Sequence, residues 1–331
     1  MFNVELAIKF GSNEIIVYRK GYGIVEKVPA YLAVQENGKK IKVKATGKEA
    51  ERLFHSKSSN VTVYQPIVKS EIVNEKMAEM LLSEIIRNVI PDKFLLTNVN
   101  VLVAVPCALN ESKLTKIKKV LHASGINKMT FVQNGVCARA NLEVDSHARI
   151  MVVDIGKYIT DISVMNDYNF DFGRMYYIGG ENMDSSLTSF IQDNYNVEVS
   201  DMTSEAIKNE IASLYDRDLY RTDYIGIDEN DKFVRRDITA SEVKVAIVNL
   251  YDKIFDLIGE VLKELPKDIV ADIFNNGIMF VGGASKIAGL YEYAKNKTEL
   301  PIIVPEDPQD AVILGAGKLL NSKNEFVKIN F

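Results

Sequence analysis

The chain has 331 residues, 47% of them hydrophobic and 26% charged, with a formal net charge of -5. That length suits two domains and the composition is that of an ordinary soluble globular protein. Without a basic surplus to neutralise phosphates no nucleic-acid partner is expected, although a local basic patch stays open.

Cys107 and Cys137 give no disulfide framework; both lie in apolar stretches and read as buried free thiols. With three scattered histidines, a zinc site is not expected. No run is long enough to span a membrane, and the N-terminus carries no signal pattern, so cytoplasm is the default compartment.

In chain order, strand-like runs come first at Val4–Phe10, Ile15–Arg19 and Gly23–Glu26. Ala30–Val63 is more polar and reads as a small insertion. A helical pattern covers Asn74–Val89. The connection after it holds Phe94, Leu95 and Leu96, apolar residues where surface loops are usually polar. They serve either as an exposed apolar tip or as the start of the strand at Val99–Val105.

Asn110 and Glu111 open a helix to Ser124, with Leu114, Ile117, Val120 and Leu121 on one face. Its basic run from Lys113 to Lys119 reads as a solvated face or as an attraction to anionic lipid. Strands are predicted at Thr130–Val132, Ile150–Asp154, Asp161–Met165 and Met175–Ile178. Helices follow at Asn182–Tyr195 and, with Thr203 as cap candidate, Ser204–Tyr215. Glu229 to Asp231 reads as a hairpin loop. A long helix over Ser241–Leu265 follows Thr239, with Glu242 in its acidic first turn. Strands at Ile278–Val281 and Ile302–Val304 and a helix at Ala311–Asn321 close the chain. Such mixed order implies an α/β architecture.

The chain also echoes itself. The run from Ala7 through Gly11 to Val17 and the run from Val152 through Gly156 to Val164 are both strand, glycine turn, strand. Gly11 and Gly156 take matching places, as do Lys9 and Asp154. Two halves of related topology follow from this duplication.

Several motifs in order carry a family resemblance over about Val4 to Leu320. They are Gly21-Tyr-Gly-Ile-Val-Glu-Lys-Val-Pro29, Val103-Ala-Val-Pro106, Val153-Asp-Ile-Gly156, Gly179-Gly-Glu-Asn-Met-Asp184, Ser204-Glu-Ala-Ile-Lys208, Gly282-Gly-Ala-Ser285 and Glu306-Asp-Pro308. The set resembles the MreB branch of the actin, heat-shock chaperone and sugar kinase superfamily.

The resemblance implies an α/β actin-like fold of two ribonuclease-H-like halves, each with a small inserted subdomain, and a nucleotide cleft between them. The expected first half is 1–148, with a small subdomain at about 30–66. The second is 149–310, with one at about 180–240, and 311–331 returns to the first half. It implies a homopolymer filament, other actin-like paralogues as further partners, and a peripheral position at the inner face of the cell membrane. ATP or ADP is the implied ligand, with Mg2+ doubtful. Among relatives the loop equivalent to Phe94, Leu95 and Leu96 often enters the membrane. Burying three such side chains would contribute about 1.5–3 kcal/mol each.

Carried over residue by residue, the first phosphate loop is Lys9, Phe10, Gly11, Ser12 and Asn13, with lysine where the family has the metal-side aspartate. The second is Asp154, Ile155, Gly156, Lys157, Tyr158 and Ile159, which lacks two family glycines and a threonine. Asp154 is the one metal candidate. Glu205 and Lys208 match ribose- and adenine-holding positions. Gly282, Gly283, Ala284 and Ser285 match the small turn that lets backbone approach the nucleotide; as a motif alone that turn could be merely structural. Asn134 stands in the water-positioning place; an amide can orient water but cannot take its proton. The resemblance therefore implies at most a weak ATPase. Either Lys9 and Lys157 supply the charge that Mg2+ normally supplies, or Lys157 and Tyr158 fill the phosphate pocket. Lys9 at a solvated strand end is a further reading. A fully active ATPase of the plasmid-segregation type and a non-polymerising regulator are the alternative functions.

Overall fold

A computed structural model describes residues 2–11, 14–38, 40–56, 61–90, 97–126, 128–142, 149–167 and 169–321. Ser12, Asn13, Phe94, Leu95 and Leu96 fall outside the described residues. The chain divides into two compact units, one of residues 1–146, 165–173 and 310–331, the other of 147–164 and 174–309.

In chain order the first elements are β1 (Phe2–Phe10), β2 (Glu14–Arg19), β3 (Gly23–Pro29), β4 (Leu32–Asn37), β5 (Lys40–Thr46), α1 (Gly47–His55), β6 (Thr62–Tyr64), β7 (Ile67–Val68), β8 (Glu71–Ile72), α2 (Glu75–Val89), β9 (Thr97–Val105), α3 (Glu111–Ala123), β10 (Lys128–Gln133) and α4 (Asn134–Ala140). There follow β11 (Arg149–Ile155), β12 (Thr160–Asn166), β13 (Asn169–Tyr176), α5 (Gly180–Tyr195), β14 (Val197–Glu198), α6 (Asp201–Ile211), β15 (Arg221–Asp228), β16 (Phe233–Thr239), α7 (Ala240–Glu264), α8 (Lys267–Asn276), β17 (Ile278–Val281), α9 (Leu290–Thr298), β18 (Ile302–Ile303) and α10 (Ala311–Asn321).

Two five-stranded sheets have the same plan. One runs β10-β9-β1-β2-β3, the other β18-β17-β11-β12-β13. In the first, β9 lies parallel to β1 and to β10, while β2 runs antiparallel to β1. In the second, β17 lies parallel to β11 and to β18. The glycine turns of the sequence echo thus join the central strand of each sheet to its neighbour. Residues 32–64 hold the sheet β5-β4-β6 with α1, and residues 197–239 hold β14-β15-β16.

Burial explains why these runs fold as they do. In the first unit α2 presents Leu81, Leu82, Ile85 and Ile86 to a core shared with Leu6, Ile8, Val101 and Val103. Asn74 caps α2 by accepting the Met77 N–H, and Asn110 caps α3 by accepting the Lys113 N–H. In the second unit Thr239 and Glu242 form a reciprocal capping box at the head of α7.

Some expectations need correcting. The helix expected from Ser204 starts at Asp201, because Ser200, and not Thr203, is the cap: its hydroxyl accepts the Thr203 N–H. It stops at Ile211, where the Leu214 N–H turns to the Ala288 carbonyl. The strand expected at Met175–Ile178 is β13, shifted toward the N-terminus. Cys107 is half-buried, while Cys137 is fully buried. The basic face of α3 is partly neutralised, by Lys113 with Glu71 and Lys119 with Glu75.

Candidate functional site

The turn between β11 and β12 is the loop that the sequence resemblance marks as the second phosphate loop. The Gly156 N–H donates to the Ile159 carbonyl at 2.9 Å, which closes the turn on itself. The head of α5 then holds the loop from the other side. The Gly180 N–H donates to the Gly156 carbonyl at 3.0 Å, and the Glu181 N–H to the Lys157 carbonyl at 2.7 Å. These are amides that a helix start leaves unpaired, and here the loop pairs them. A Cβ on Gly179 would lie 2.6 Å from the Gly156 carbonyl oxygen and 2.8 Å from that of Lys157, so glycine is required for this approach.

Lys157 turns to α6. Its Nζ lies 3.1 and 3.3 Å from the two carboxylate oxygens of Glu205. Burial draws the lysine down, but the Glu205 carboxylate, with Tyr158 and Asp184, outweighs it, and the ammonium is held above its usual range. One helical turn on, Lys208 pairs with Asp184 at 2.6 Å and donates to the Gly180 carbonyl at 3.1 Å. Burial of Asp184 pushes its carboxyl up to about 6, against the opposing pull of Lys208. Sequence reading left Gly179, Gly180 and Asp184 out of the site, although the Gly179 to Asp184 motif was the available signal.

The glycine turn after β17 is also a tight piece of this unit. Gly282 has φ +90, and a Cβ there would meet the Asp154 carboxylate and lie 2.5 Å from the Ile155 carbonyl oxygen. Its N–H donates to the Pro308 carbonyl at 2.7 Å, which ties in the Glu306-Asp-Pro308 motif. Ser285 donates its hydroxyl to the Val281 carbonyl at 2.6 Å, and Tyr251 donates to the Ala284 carbonyl at 2.8 Å. Gly283 is exposed and a Cβ on it would meet nothing within 4 Å, so its backbone borders open space. The second unit therefore brings together Asp154, Gly156, Gly282 and Asp184, Lys157, Glu205, Lys208 in one continuous framework.

The first unit holds the other candidates. Lys9 is half-buried in β1, opposite Ile16 and Ala104, and Gly11 follows the strand. Burial pushes the Cys137 thiol up, and the nearby Lys9 charge acts against that. Asn134 is buried at the start of α4, directly after β10. α4 is fixed by α10: a Cβ on Gly315 would strike the Cys137 carbonyl.

These residues fit an anionic ligand better than they fit a metal ion. The fit rests on the open backbone at Gly283, the small turn behind it and the lysines beside the second loop. Among the described residues no group of three or more His, Cys, Asp or Glu side chains is placed to hold a metal ion. No helix among them is long and apolar enough to cross a membrane.

The family model for the MreB/Mbl protein matches residues 3–328. The cell shape-determining protein MreB of Escherichia coli (strain K12) is 26% identical over 326 residues, covering 97% of this chain and 94% of that one. Among solved structures, MreB5 of Spiroplasma citri bound to ADP superposes with a TM-score of 0.87 at 23% identity, over 97% of this chain and 96% of that one. A MamK double helical filament superposes with a TM-score of 0.80 at 18% identity, over 97% of this chain and all of that one. The fold is therefore actin-like.

Proposed function

The chain belongs to the MreB/Mbl family, and from that premise we propose that it is a cell-shape or cell-mechanics actin homologue that polymerises, binds adenine nucleotide and hydrolyses it slowly or not at all. The cell-shape role of the Escherichia coli relative and the filament formed by MamK support the polymer. The ADP in the Spiroplasma citri protein supports the ligand.

The observation that carries the slow-hydrolysis reading is Lys157. It replaces a small loop residue with a cation at a phosphate-facing position, and it lies on Glu205 rather than in bulk solvent. Gly282 and Gly283 supply the backbone approach for the nucleotide, Lys208 and Glu205 its sugar and base contacts, and Lys157 and Lys9 positive charge near phosphate. When bound, Mg2+ would supply charge neutralisation, and Asp154 is the residue that would face it. Asn134 orients water without accepting its proton, which leaves the chemical step without a base.

Isothermal titration with ATP, with and without Mg2+, tests this. Binding that changes less than about threefold on removing Mg2+, with little phosphate release, is expected. Tight binding only with Mg2+ and rapid turnover would defeat the reading. Electron microscopy with and without nucleotide tests the polymer.

The Lys157–Glu205 pair also favours a second reading, a regulator whose site stays closed to nucleotide, because it occupies the carboxylate that would hold ribose. Absence of any heat of ATP binding would select that one. We further propose a peripheral membrane position through Phe94, Leu95 and Leu96. A Phe94→Ser, Leu95→Ser variant should pellet less with liposomes, and unchanged pelleting removes the loop from this account.

A further inference from the structure

Beyond polymerisation and nucleotide, the three-stranded sheet β14-β15-β16 carries a surface with its own logic. β16 is the longer of its two outer strands. The Asp228 N–H donates to the Lys232 carbonyl, and at the other end the Ala240 N–H donates to the Tyr220 carbonyl. Backbone groups alternate sides along a strand, so Val234, Arg236 and Ile238 point theirs at β15. Phe233, Arg235, Asp237 and Thr239 point theirs outward. The Thr239 N–H is used by Glu242, and the Arg235 carbonyl receives only the guanidinium of its neighbour Arg236 at 3.2 Å. Among the described residues, the outward N–H groups of Phe233, Arg235 and Asp237 have no strand beside them.

The side chains on that edge are unusual for one meant only to repel. Phe233 is 81% exposed and Ile225, on the same face, 60%. Asp237 lies directly across from Asp223 in the register of β15 and β16, a like-charge pair that costs stability. Two exposed diagonal contacts offset it, Arg221 to Asp237 at 3.3 Å and Arg235 to Asp223 at 3.4 Å. Asp237 thus has both Asp223 and the Arg221 guanidinium on its covered side and an open strand edge on the other.

We infer that β16 pairs edge to edge, antiparallel, with β16 of a second copy of this chain. Two-fold registers that direct the outward backbone groups at each other can be centred on any residue. Over Val234–Ile238, centring on Val234 sets Arg235 against Phe233 and centring on Ile238 sets Asp237 against Thr239, neither with an opposite charge. Centring on Arg235 sets Arg235 against itself in the hydrogen-bonded ladder, and centring on Asp237 does the same with Asp237. Only the register centred on Arg236 sets Arg235 of one copy against Asp237 of the other, twice, with Val234 against Ile238 on the opposite face. Charge complementarity therefore selects both the occupant and the register. The two Arg236 residues then meet at a non-hydrogen-bonded position, which keeps the contact weak unless copies are already concentrated. The surface is independent of the nucleotide reading.

An Arg236→Cys substitution in the whole chain tests the register. At a non-hydrogen-bonded antiparallel pair the Cα atoms are about 4.5 Å apart, within disulfide reach. Mild oxidation, read by non-reducing gel and mass spectrometry, should link residue 236 to residue 236. Asp231→Cys, five residues from the centre in each copy and hence about 34 Å apart across the pair, should not link. Adding Arg235→Asp should lower the linked fraction about tenfold, and adding Asp237→Arg to that should restore it. Within one chain the exchange makes both diagonal contacts, with Arg221 and Asp223, like-charged but removes the repulsion between Asp223 and Asp237, so urea midpoints of the variants measured beside the linking separate a structural effect from pairing. Equal linking at 231 and 236, no linking in an Arg236→Cys chain with wild-type circular dichroism, or no rescue by the exchange would overturn the inference. Filament pelleting measured beside it separates this failure from a failure of the polymer reading.

Discussion

The two glycine turns show which part of a duplicated hairpin is held by geometry and which part is free to change. A Cβ on Gly11 would lie 2.7 Å from the carbonyl oxygen of Glu14, and one on Gly156 would lie 3.2 Å from that of Ile159. In both turns the obstacle is the backbone three residues on. The glycine therefore makes the hairpin, and it stands in both copies. The charged residues around it have diverged. The first turn carries its lysine two residues before the glycine, in β1 and near Cys137. The second carries its lysine directly after, on Glu205.

The largest effect should come from testing that shared geometry. Gly11→Ala places a methyl against a backbone oxygen that cannot rotate away, and should cost roughly 2–3 kcal/mol. Gly156→Ala meets the same group at a tolerable distance and gains some unfolded-state entropy, so about 1 kcal/mol is expected. Urea midpoints of the two variants measure this. Equal losses would mean that the two turns are equivalent obstacles and that the closer approach at Gly11 does not decide the cost.

The hairpin echo was legible because a glycine between two apolar alternating runs has a mechanical reason to be there. The helices over Glu75–Val89, Glu111–Ala123 and Ala311–Asn321 and the strand over Ile278–Val281 were legible from periodicity and, at the second of them, from Asn110 at its start. α4 was not, since every residue in it is buried and no polar face marks its period. The head of α5 was misplaced because Gly179 acts through a close backbone approach that sequence spacing does not display, and that of α6 because Ser200 and Thr203 are both cap-type residues three apart and the hydroxyl of the earlier one takes the cap. Within the site, the lysine substitutions could be read, but not their partners. That Lys157 meets Glu205 and Lys208 meets Asp184 depends on packing α5 beside α6.

That packing gives the second turn an electrostatic neighbour that can be titrated. The Asp184 carboxyl is held at about 6, above its ordinary value of 3.8, by burial. A raised folded-state pKa means that the protonated form is favoured in the native protein. Its contribution is complete below about pH 3.8 and is lost as pH rises through about 6. The difference in stability between wild type and Asp184→Asn should therefore change by about 2 kcal/mol across that window, the wild type losing as pH rises. Paired urea melts from pH 4 to 7 would show it. A constant difference would mean that Lys208 neutralises Asp184 completely.

The smallest stability effect, and the sharpest division between the two turns, is expected from their lysines. The Lys157–Glu205 pair is partly exposed, so Lys157→Met should cost no more than about 1 kcal/mol of stability. Its effect on ligand is more informative. If the ammonium leaves Glu205 to meet phosphate, removing it should weaken ATP binding in the absence of Mg2+ by about tenfold, one charge-assisted hydrogen bond. If it instead fastens the loop to α6, removing it frees Glu205, and affinity should rise. Lys9→Met is the control from the other copy. Its cation is registered against Ile16 and Ala104 in the sheet, so a loss comparable to that of Lys157→Met would mean that both lysines address the same anion. A loss confined to Lys157 would mean that after duplication only the second turn kept a charge for the ligand.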